Sequence, residues 1–393
     1  VTHPELIADY GRPIDRPGLL DLTPRMKSRI VSRFQSRLLD SFGRLAPGST
    51  AARIFARTAR QVVGAFLYSL KIEITNRCPM KCRICYVRKG EKEIPLEAIR
   101  RLYRSIRGCG VRIEILGGEP MLHPGLAEIV GAAKHEAWSP FVTLYTNAAL
   151  ATPRLSADLK TAGLDGAIVS FWSHRESVHD ALTGSPGSWA AAVQGMRRMT
   201  EAGITVYTFT PVLRPNVKDV PVIYEFARDR LGANPLFYQY LPVSREDELN
   251  IRPEEWQEAK RWVLDRTPEH WEFVRRFDRL TGNSCSGGNF VLTIKADGSV
   301  QPCPFVDDVP MGNIYRQDIW TIYRRRFRNA GLREFKTLPA ECRDCSLRSV
   351  CSGGCRAAAR WFGGYGRRDP KCLGPFADPV AAAGMLDCVP TFF

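Results

Sequence analysis

Cys78, Cys82 and Cys85 crowd one short stretch directly after the apolar run 70–74. Three soft thiolates on one loop can ligate three corners of a cubane iron-sulfur cluster and leave the fourth iron open for chemistry. The same spacing suits a zinc loop that takes its fourth ligand elsewhere, or a disulfide with a spare thiol. One helix later, Gly117-Gly118-Glu119-Pro120 ends the apolar strand 113–116. Glycines belong where backbone must approach a ligand closely. The C-terminal third carries a second thiol group: Cys285 and Cys303, then Cys342, Cys345, Cys351 and Cys355, then Cys372. The segment 291–300 reads as a hairpin turning at Asp297-Gly298. Paired C-x2-C thiols serve zinc knuckles as well as iron.

These residues need a frame. From Leu70 onward, apolar strands read at 70–75, 112–116, 141–146, 166–171, 204–210 and 236–241. Helical stretches fall between them, near 95–107, 124–136, 153–162, 187–202 and 218–231. Such alternation predicts a parallel sheet with helices outside it, and six units predict a partial barrel. Reactive groups then gather at the C-terminal ends of the strands. Asn147 follows the third strand, and Ser170, Trp172, His174 and Arg175 follow the fourth. Thr208 and Thr210 lie on the fifth and Gln239 and Tyr240 on the sixth. His179-Asp180 reads either as a general base with its orienting carboxylate or as a loop-fixing and helix-capping pair. The division expected is a basic helical extension over 1–69, the barrel over 70–245, a helical linker over 246–284, a cysteine-rich domain over 285–376 and a tail over 377–393.

Composition sets outer limits. The 393 residues, 44% of them hydrophobic, support a sizeable core, and the net charge of +15 favours anionic partners without naming one. No nucleic-acid partner is expected. Twelve cysteines and no stretch of secretory type point to a reducing compartment, with the cytoplasm as the default. In residues 25–45, Ile30, Val31, Phe34, Leu38, Leu39 and Phe42 form an apolar stripe beside Arg29, Arg33 and Arg37. That helix either packs on the barrel or makes peripheral membrane contact. A second helical segment, 54–70, leads into the first strand. Cys109 reads as a small buried hydrophobe and Cys388 as a tail thiol.

The trio, the Gly-Gly-Glu-Pro turn and the strand-helix order together resemble the radical S-adenosylmethionine (radical SAM) superfamily, whose signature is C-x3-C-x2-C after the first strand of a partial barrel. The resemblance implies that Cys78, Cys82 and Cys85 hold a 4Fe-4S cluster whose open iron chelates S-adenosylmethionine. It assigns Gly117, Gly118, Glu119 and Pro120 to the methionine amino group, Asn147 and Ser170 to the methionine and ribose parts, and Tyr86 to a contact made largely through backbone. Two departures stand out. Ile84 replaces an aromatic common before the last cysteine, and Thr183 replaces an arginine common before the glycine at 184, which leaves the cofactor carboxylate without an assigned basic partner.

The later cysteines resemble the SPASM domain found behind such barrels, with two auxiliary 4Fe-4S clusters. Matched positions give one cluster to Cys285, Cys303 and Cys355, and the other to Cys342, Cys345, Cys351 and Cys372. The first set is one thiolate short; substrate, water, Cys388 or another side chain would complete it. The implied chemistry is reductive cleavage of S-adenosylmethionine, hydrogen abstraction from a substrate C–H and two-electron oxidation, on a small metabolite or a peptide. A low-potential donor such as flavodoxin or ferredoxin would supply electrons. Other readings are a peptide or protein maturase forming crosslinks or thioethers, a redox-neutral epimerase or sulfur-inserting enzyme, and an iron-sulfur electron carrier without catalysis. A lipid-active enzyme recruited by the arginine-rich helix is a further one.

Overall fold

The computed structural model describes residues 67–242, 246–267, 285–351 and 353–374. The basic helix expected at 25–45, nearly all of the segment 54–70, the rest of the linker and Cys388 lie outside the described residues.

Six parallel strands form in chain order: β1 (Ser69–Glu73), β2 (Arg112–Leu116), β3 (Val142–Thr146), β4 (Gly166–Ser170), β5 (Thr205–Val212) and β6 (Asn234–Gln239). Between them run α1 (Leu96–Ser105), α2 (Leu126–His135), α3 (Pro153–Thr161), α4 (Glu176–Thr183), α5 (Ser188–Glu201) and α6 (Val220–Glu225), the last continuing as a π turn over Phe226–Arg230. The sheet stays open, with β6 at one edge. This is the expected partial barrel, six strands and their crossover helices.

Alternation explains the layering. On β1, Leu70 and Ile72 face the helices and are fully buried, while Ser69, Lys71 and Glu73 face the interior. Each buried Leu or Ile contributes about 1.5–3 kcal/mol. In α1 the inward positions are Ala98, Ile99, Leu102 and Tyr103, and outward Arg100 pairs with Glu136 at 2.6 Å. Thr152 caps α3 by accepting the Leu155 N–H at 3.1 Å, with Pro153 in the first turn. The helix α4 has no counterpart in the sequence reading. It is eight residues long and ends at Gly184 in the left-handed conformation, φ +61°.

The linker region contributes α7 (Pro253–Leu264), where the Glu255 carboxylate accepts the Arg252 N–H at 2.8 Å. Beyond it, β7 (Val291–Ile294) and β8 (Ser299–Gln301) form the expected hairpin at Asp297-Gly298, and β9 (Gly312–Asn313) adds to it. The hairpin is not a separate layer. β7 pairs in parallel with β1, Leu70 opposite Leu292 and Ile72 opposite Ile294, so nine strands make one sheet. Four short helices complete the cysteine-rich part: α8 (Ile319–Arg325), α9 (Ala330–Lys336), α10 (Arg348–Cys351) and α11 (Arg356–Arg360). Trp320 ties α8 to the barrel wall by donating from Nε1 to the Ser105 carbonyl at 2.8 Å. Among the described residues, no helix is long and apolar enough to cross a membrane.

Candidate iron-sulfur and S-adenosylmethionine site

The cysteine loop leaves β1 and is held from two sides. On one side, the Gly118 N–H donates to the Thr75 carbonyl at 2.8 Å and the Glu119 N–H to the Arg77 carbonyl at 2.7 Å. A Cβ on Gly118 would stand 2.2 Å from the Arg77 carbonyl oxygen. The glycine is thus required by the protein's own backbone running to Cys78, a different reason from the ligand approach inferred from sequence. On the other side, Lys81 and Arg83 donate their N–H groups to the carbonyls of Thr183 and Leu182, at 3.1 and 2.9 Å. These are carbonyls that the end of α4 leaves without helical partners, and the N–H groups flank Cys82. Gly184 lets the chain pass, because a Cβ there would meet the Lys81 carbonyl oxygen at 2.7 Å.

Glu119 is fully buried and serves as a clamp. Its Oε1 accepts from Met121 N at 3.0 Å and Thr146 Oγ1 at 2.7 Å, and its Oε2 accepts from Asn147 N at 2.8 Å. Burial raises its pKa against these three bonds. Pro120 is buried in the turn that Glu119 caps. Asn147 sits at the end of β3 with Oδ1 accepting from Ala149 N at 3.0 Å, and Ser170 ends β4 partly exposed on the interior face. The clamp therefore fixes Asn147 relative to the Gly117–Pro120 turn.

The three thiols of the loop influence one another. Burial first, then the neighbouring thiols Cys85 and Cys78, push the Cys82 thiol up to about 12. Burial also raises Cys78, with Glu119 and Cys85 adding to it and the Met80 N–H and Lys89 opposing. In the C-terminal part, Cys355 is raised well above the usual thiol range by burial, then Asp369, Cys285 and Cys303. Cys303 is pushed to about 12 by burial and Cys285, with Lys295 and Lys71 opposing. Cys342 is raised by burial and by Cys372 and Cys345, and Cys351 by burial, Cys372, Asp369 and Cys342. Thiols thus influence one another within 78/82/85, within 285/303/355 and within 342/345/351/372. No disulfide forms among the described cysteines. No three His, Cys, Asp or Glu side chains among the described residues converge as a single ion requires. Thiols grouped outside any disulfide are the donor chemistry an iron-sulfur cluster takes.

Two of the groups share one interior. Tyr86, next to Cys85, packs its ring on Phe305, two residues after Cys303, with centroids 4.6 Å apart. Lys295 Nζ lies 5.5 Å from the centroid of Tyr86 and pairs with Glu73 at 2.7 Å. Burial raises the pKa of Glu73, with Lys295 opposing. Deeper in, Lys71 pairs with Glu114, and the Tyr145 hydroxyl donates to Glu114 Oε2 at 2.9 Å. Burial alone would raise Glu114, yet Lys71 and the bonds from Ser69 and Tyr145 hold it below the usual carboxylate range. Phe209 stacks on Tyr238 at 4.0 Å and meets the edge of Tyr145 at 5.8 Å. The wall is aromatic, with two neutralised ion pairs set into it.

The His179-Asp180 pair does not act as a base and its orienter in this geometry. His179 is buried and its Nδ1 accepts the Trp172 N–H at 3.2 Å; burial lowers its pKa to about 4. Asp180 accepts from Ser188 Oγ at 2.7 Å and from the N–H groups of Gly187 and Trp189, which caps α5. His174 stands near Asp219 and Arg175 past β4, and its buried Nδ1 has no hydrogen-bond partner. Thr183, at the position of the missing arginine, bonds the Ser188 hydroxyl at 2.6 Å.

Sequence reasoning missed Asp369. It is buried between the two C-terminal thiol groups and accepts from Cys355 N at 2.8 Å, Lys371 N at 2.7 Å and Gln239 Nε2 at 3.0 Å. Gln239 ends β6, so this carboxylate ties the cysteine-rich part to the barrel. Its position three residues before Cys372 was the available signal.

The Radical SAM superfamily model matches residues 72–227, and that of the SPASM iron-sulfur cluster-binding domain matches 285–346. The chain is 28% identical to the PqqA peptide cyclase of Gluconobacter oxydans over 350 residues, covering 80% of this chain and 93% of that protein. It is 25% identical to the AdoMet-dependent heme synthase of Methanosarcina barkeri over 335 residues, covering 77% and 95%. Among solved structures, SuiB of Streptococcus suis bound to S-adenosylmethionine aligns with a TM-score of 0.65 at 17% identity, covering 89% of this chain and 93% of that one. Two family models in succession along the chain, a shared fold and relatives matched over nearly their whole length agree with the thiol groups and the turn that holds them: the chain belongs to the radical SAM superfamily, as an S-adenosylmethionine- and iron-sulfur-dependent enzyme with a SPASM domain.

Proposed function

We propose that this enzyme oxidises its substrate by two electrons. Cys78, Cys82 and Cys85 hold the cluster that engages S-adenosylmethionine, and two auxiliary 4Fe-4S clusters sit on Cys285/Cys303/Cys355 and on Cys342/Cys345/Cys351/Cys372. The supporting observation is the shared interior: Tyr86 beside Cys85 touches Phe305 beside Cys303. That contact places the residue after Cys85 against the residue two beyond Cys303, and a cluster held by the auxiliary thiols would supply an electron acceptor on this side of the barrel. Bound at Cys78/Cys82/Cys85, the cluster and S-adenosylmethionine together supply a 5'-deoxyadenosyl radical, which takes hydrogen from a substrate C–H.

The chain's residues do the rest. Glu119 holds the Gly117–Pro120 turn and Asn147 in place for the methionine part, and Ser170 faces the ribose. The wall of Tyr145, Phe209 and Tyr238 excludes water from the radical. A two-electron oxidation releases a proton, and Glu73, a buried carboxylate with a raised pKa beside Lys295, is suited to receive it. The substrate is a peptide or a small metabolite. The PqqA peptide cyclase relative favours the first, and with it a maturase forming crosslinks. Described cysteines outside any disulfide fit a reducing cytoplasm, with flavodoxin or ferredoxin as donor.

Anaerobic reconstitution should give about twelve irons per chain. Dithionite with S-adenosylmethionine should release 5'-deoxyadenosine, and alanine at Cys78, Cys82 and Cys85 should abolish it. Persistent cleavage in that variant overturns the assignment.

A further inference from the structure

The α8–α9 corner carries charge that the barrel chemistry does not use. Residues 319–336 hold six basic side chains and one acid. Arg324, Arg325, Arg328 and Arg333 are all exposed, and none of them has an ion pair among the described residues. Phe327 stands in their midst at 61% exposure, the most exposed large hydrophobic side chain described. The corner is preorganised. Arg326 turns inward over the Tyr323 ring at 3.8 Å, and Arg333 Nη1 donates to the carbonyls of Phe327 and Arg328 at 3.3 and 3.1 Å.

Its location gives the patch a meaning. The inner face of α9 places Leu332 and Phe335 in one buried cluster with Cys355, against which Cys285 and Cys303 pack. Lys336, at the end of the same helix, donates from Nζ to the Cys285 carbonyl at 2.7 Å. One face of α9 touches the first auxiliary thiol set, and its exposed side carries Arg333, whose guanidinium bonds the turn that bears Arg328, with Arg324 and Arg325 on the neighbouring α8. A helix is about 10–12 Å across with its side chains.

We propose that this corner docks an acidic one-electron carrier protein, which exchanges electrons with the set Cys285/Cys303/Cys355. The inference rests on that set holding a redox cluster. Four guanidinium groups without ion pairs among the described residues steer an acidic surface, and arginine with an aromatic anchor is a composition enriched at interfaces. A lipid headgroup or RNA would gain nothing from thiols one helix away, whereas a redox partner needs that proximity. The substrate loses a hydrogen atom to the 5'-deoxyadenosyl radical, and the resulting substrate radical loses one electron and one proton. The electron passes through the auxiliary set to the oxidised carrier, which is reduced by one electron, and the proton goes to Glu73 or water.

The test uses the reconstituted full chain and an acidic flavodoxin as probe, with affinity measured by calorimetry at low and high salt. The double change Arg324→Glu/Arg328→Glu should weaken binding about tenfold or more and flatten its salt dependence. Phe327→Ala should also weaken it, and Arg328→Lys should keep it. Iron content and dithionite-driven S-adenosylmethionine cleavage should stay at wild-type levels in all of these, which separates loss of docking from loss of the enzyme. Unchanged flavodoxin affinity in the double variant overturns the proposal. So does a double variant that keeps flavodoxin and loses anionic vesicles or RNA instead. Absence of dithionite-driven cleavage in the unaltered chain would count against the proposed function and leave the docking measurement readable.

Discussion

Gly118→Ala probes the idea that backbone contact, made before any cofactor arrives, sets the cysteine loop. A Cβ at that position would lie 2.2 Å from the Arg77 carbonyl oxygen and 2.9 Å from that of Asn76. Both obstacles are backbone, so no rotamer change relieves them. Reaching ordinary contact at 3.4 Å requires the two segments to part by about 1 Å. That separation breaks the bonds from Gly118 N to Thr75 and from Glu119 N to Arg77. Each unsatisfied group costs about 1–3 kcal/mol, so the variant loses about 2–5 kcal/mol and remains mostly folded if the total margin is about 5–15 kcal/mol. Cys78 follows Arg77 directly, while Cys82 stays pinned to α4 through Lys81 and Arg83. The trio is therefore distorted internally. We expect a lower urea midpoint, loss of about four irons on reconstitution, and 5'-deoxyadenosine formation reduced about 100-fold. Gly366→Ala is the control, since nothing lies within 4 Å of its added Cβ. If Gly118→Ala keeps the wild-type iron content and cleavage rate, the reasoning is wrong.

Glu119→Gln should cost about 1–3 kcal/mol in urea unfolding, because its amide NH2 would face one of three protein donors that the carboxylate now accepts. His179 titrates near pH 4 in the folded chain and near 6.5 when unfolded. Between those values the unfolded state holds the extra proton, so stability falls as pH drops, by up to about 1.4 kcal/mol per pH unit; the slope is absent above 6.5 and should shrink in His179→Phe, as pH-resolved denaturation would reveal. Asp369→Ala removes three accepted bonds and the tie to Gln239, and should lower the iron content of both auxiliary sets while the first cluster's signal survives. Single changes Cys303→Ala and Cys342→Ala should each remove about four irons, and their electron paramagnetic resonance spectra should differ in which signal is lost.

Local pattern carried much of the molecule. The strands 112–116 and 166–171 stood out because apolar runs bounded by turn residues are read from neighbours in the chain, and β2 and β4 appear there. The grouping of seven later thiols followed the same route, through resemblance. What stayed hidden depends on partners distant in sequence. The pairing of β7 with β1 joins residues more than two hundred positions apart, and no periodicity records it. The short helix α4 escaped because two turns hold too few apolar positions to reveal a stripe, with only His179, Leu182 and Thr183 buried. The resemblance gives Glu119 a place beside the cofactor, while the engagement of both its oxygens with protein donors depends on Thr146 and Asn147, far along the chain. His179 and Asp180 are adjacent in sequence, but their bonds run to Trp172 and to the start of α5.

The ladder between β1 and β7 also bears on whether the two halves can exist apart. Cutting the chain before Cys285 would strip β1 of its outer neighbour and expose a row of unpaired backbone groups beside Leu70 and Ile72. The released hairpin would offer the matching edge at Leu292 and Ile294. Bare, flat apolar edges of this kind recruit other strands, so each fragment is a template for aggregation. Shuffling a foreign cysteine-rich module onto this barrel would succeed only if its first strand kept the register of Ser69 against Val291. The barrel and the cysteine-rich part stand or fall together because each is the other's missing strand.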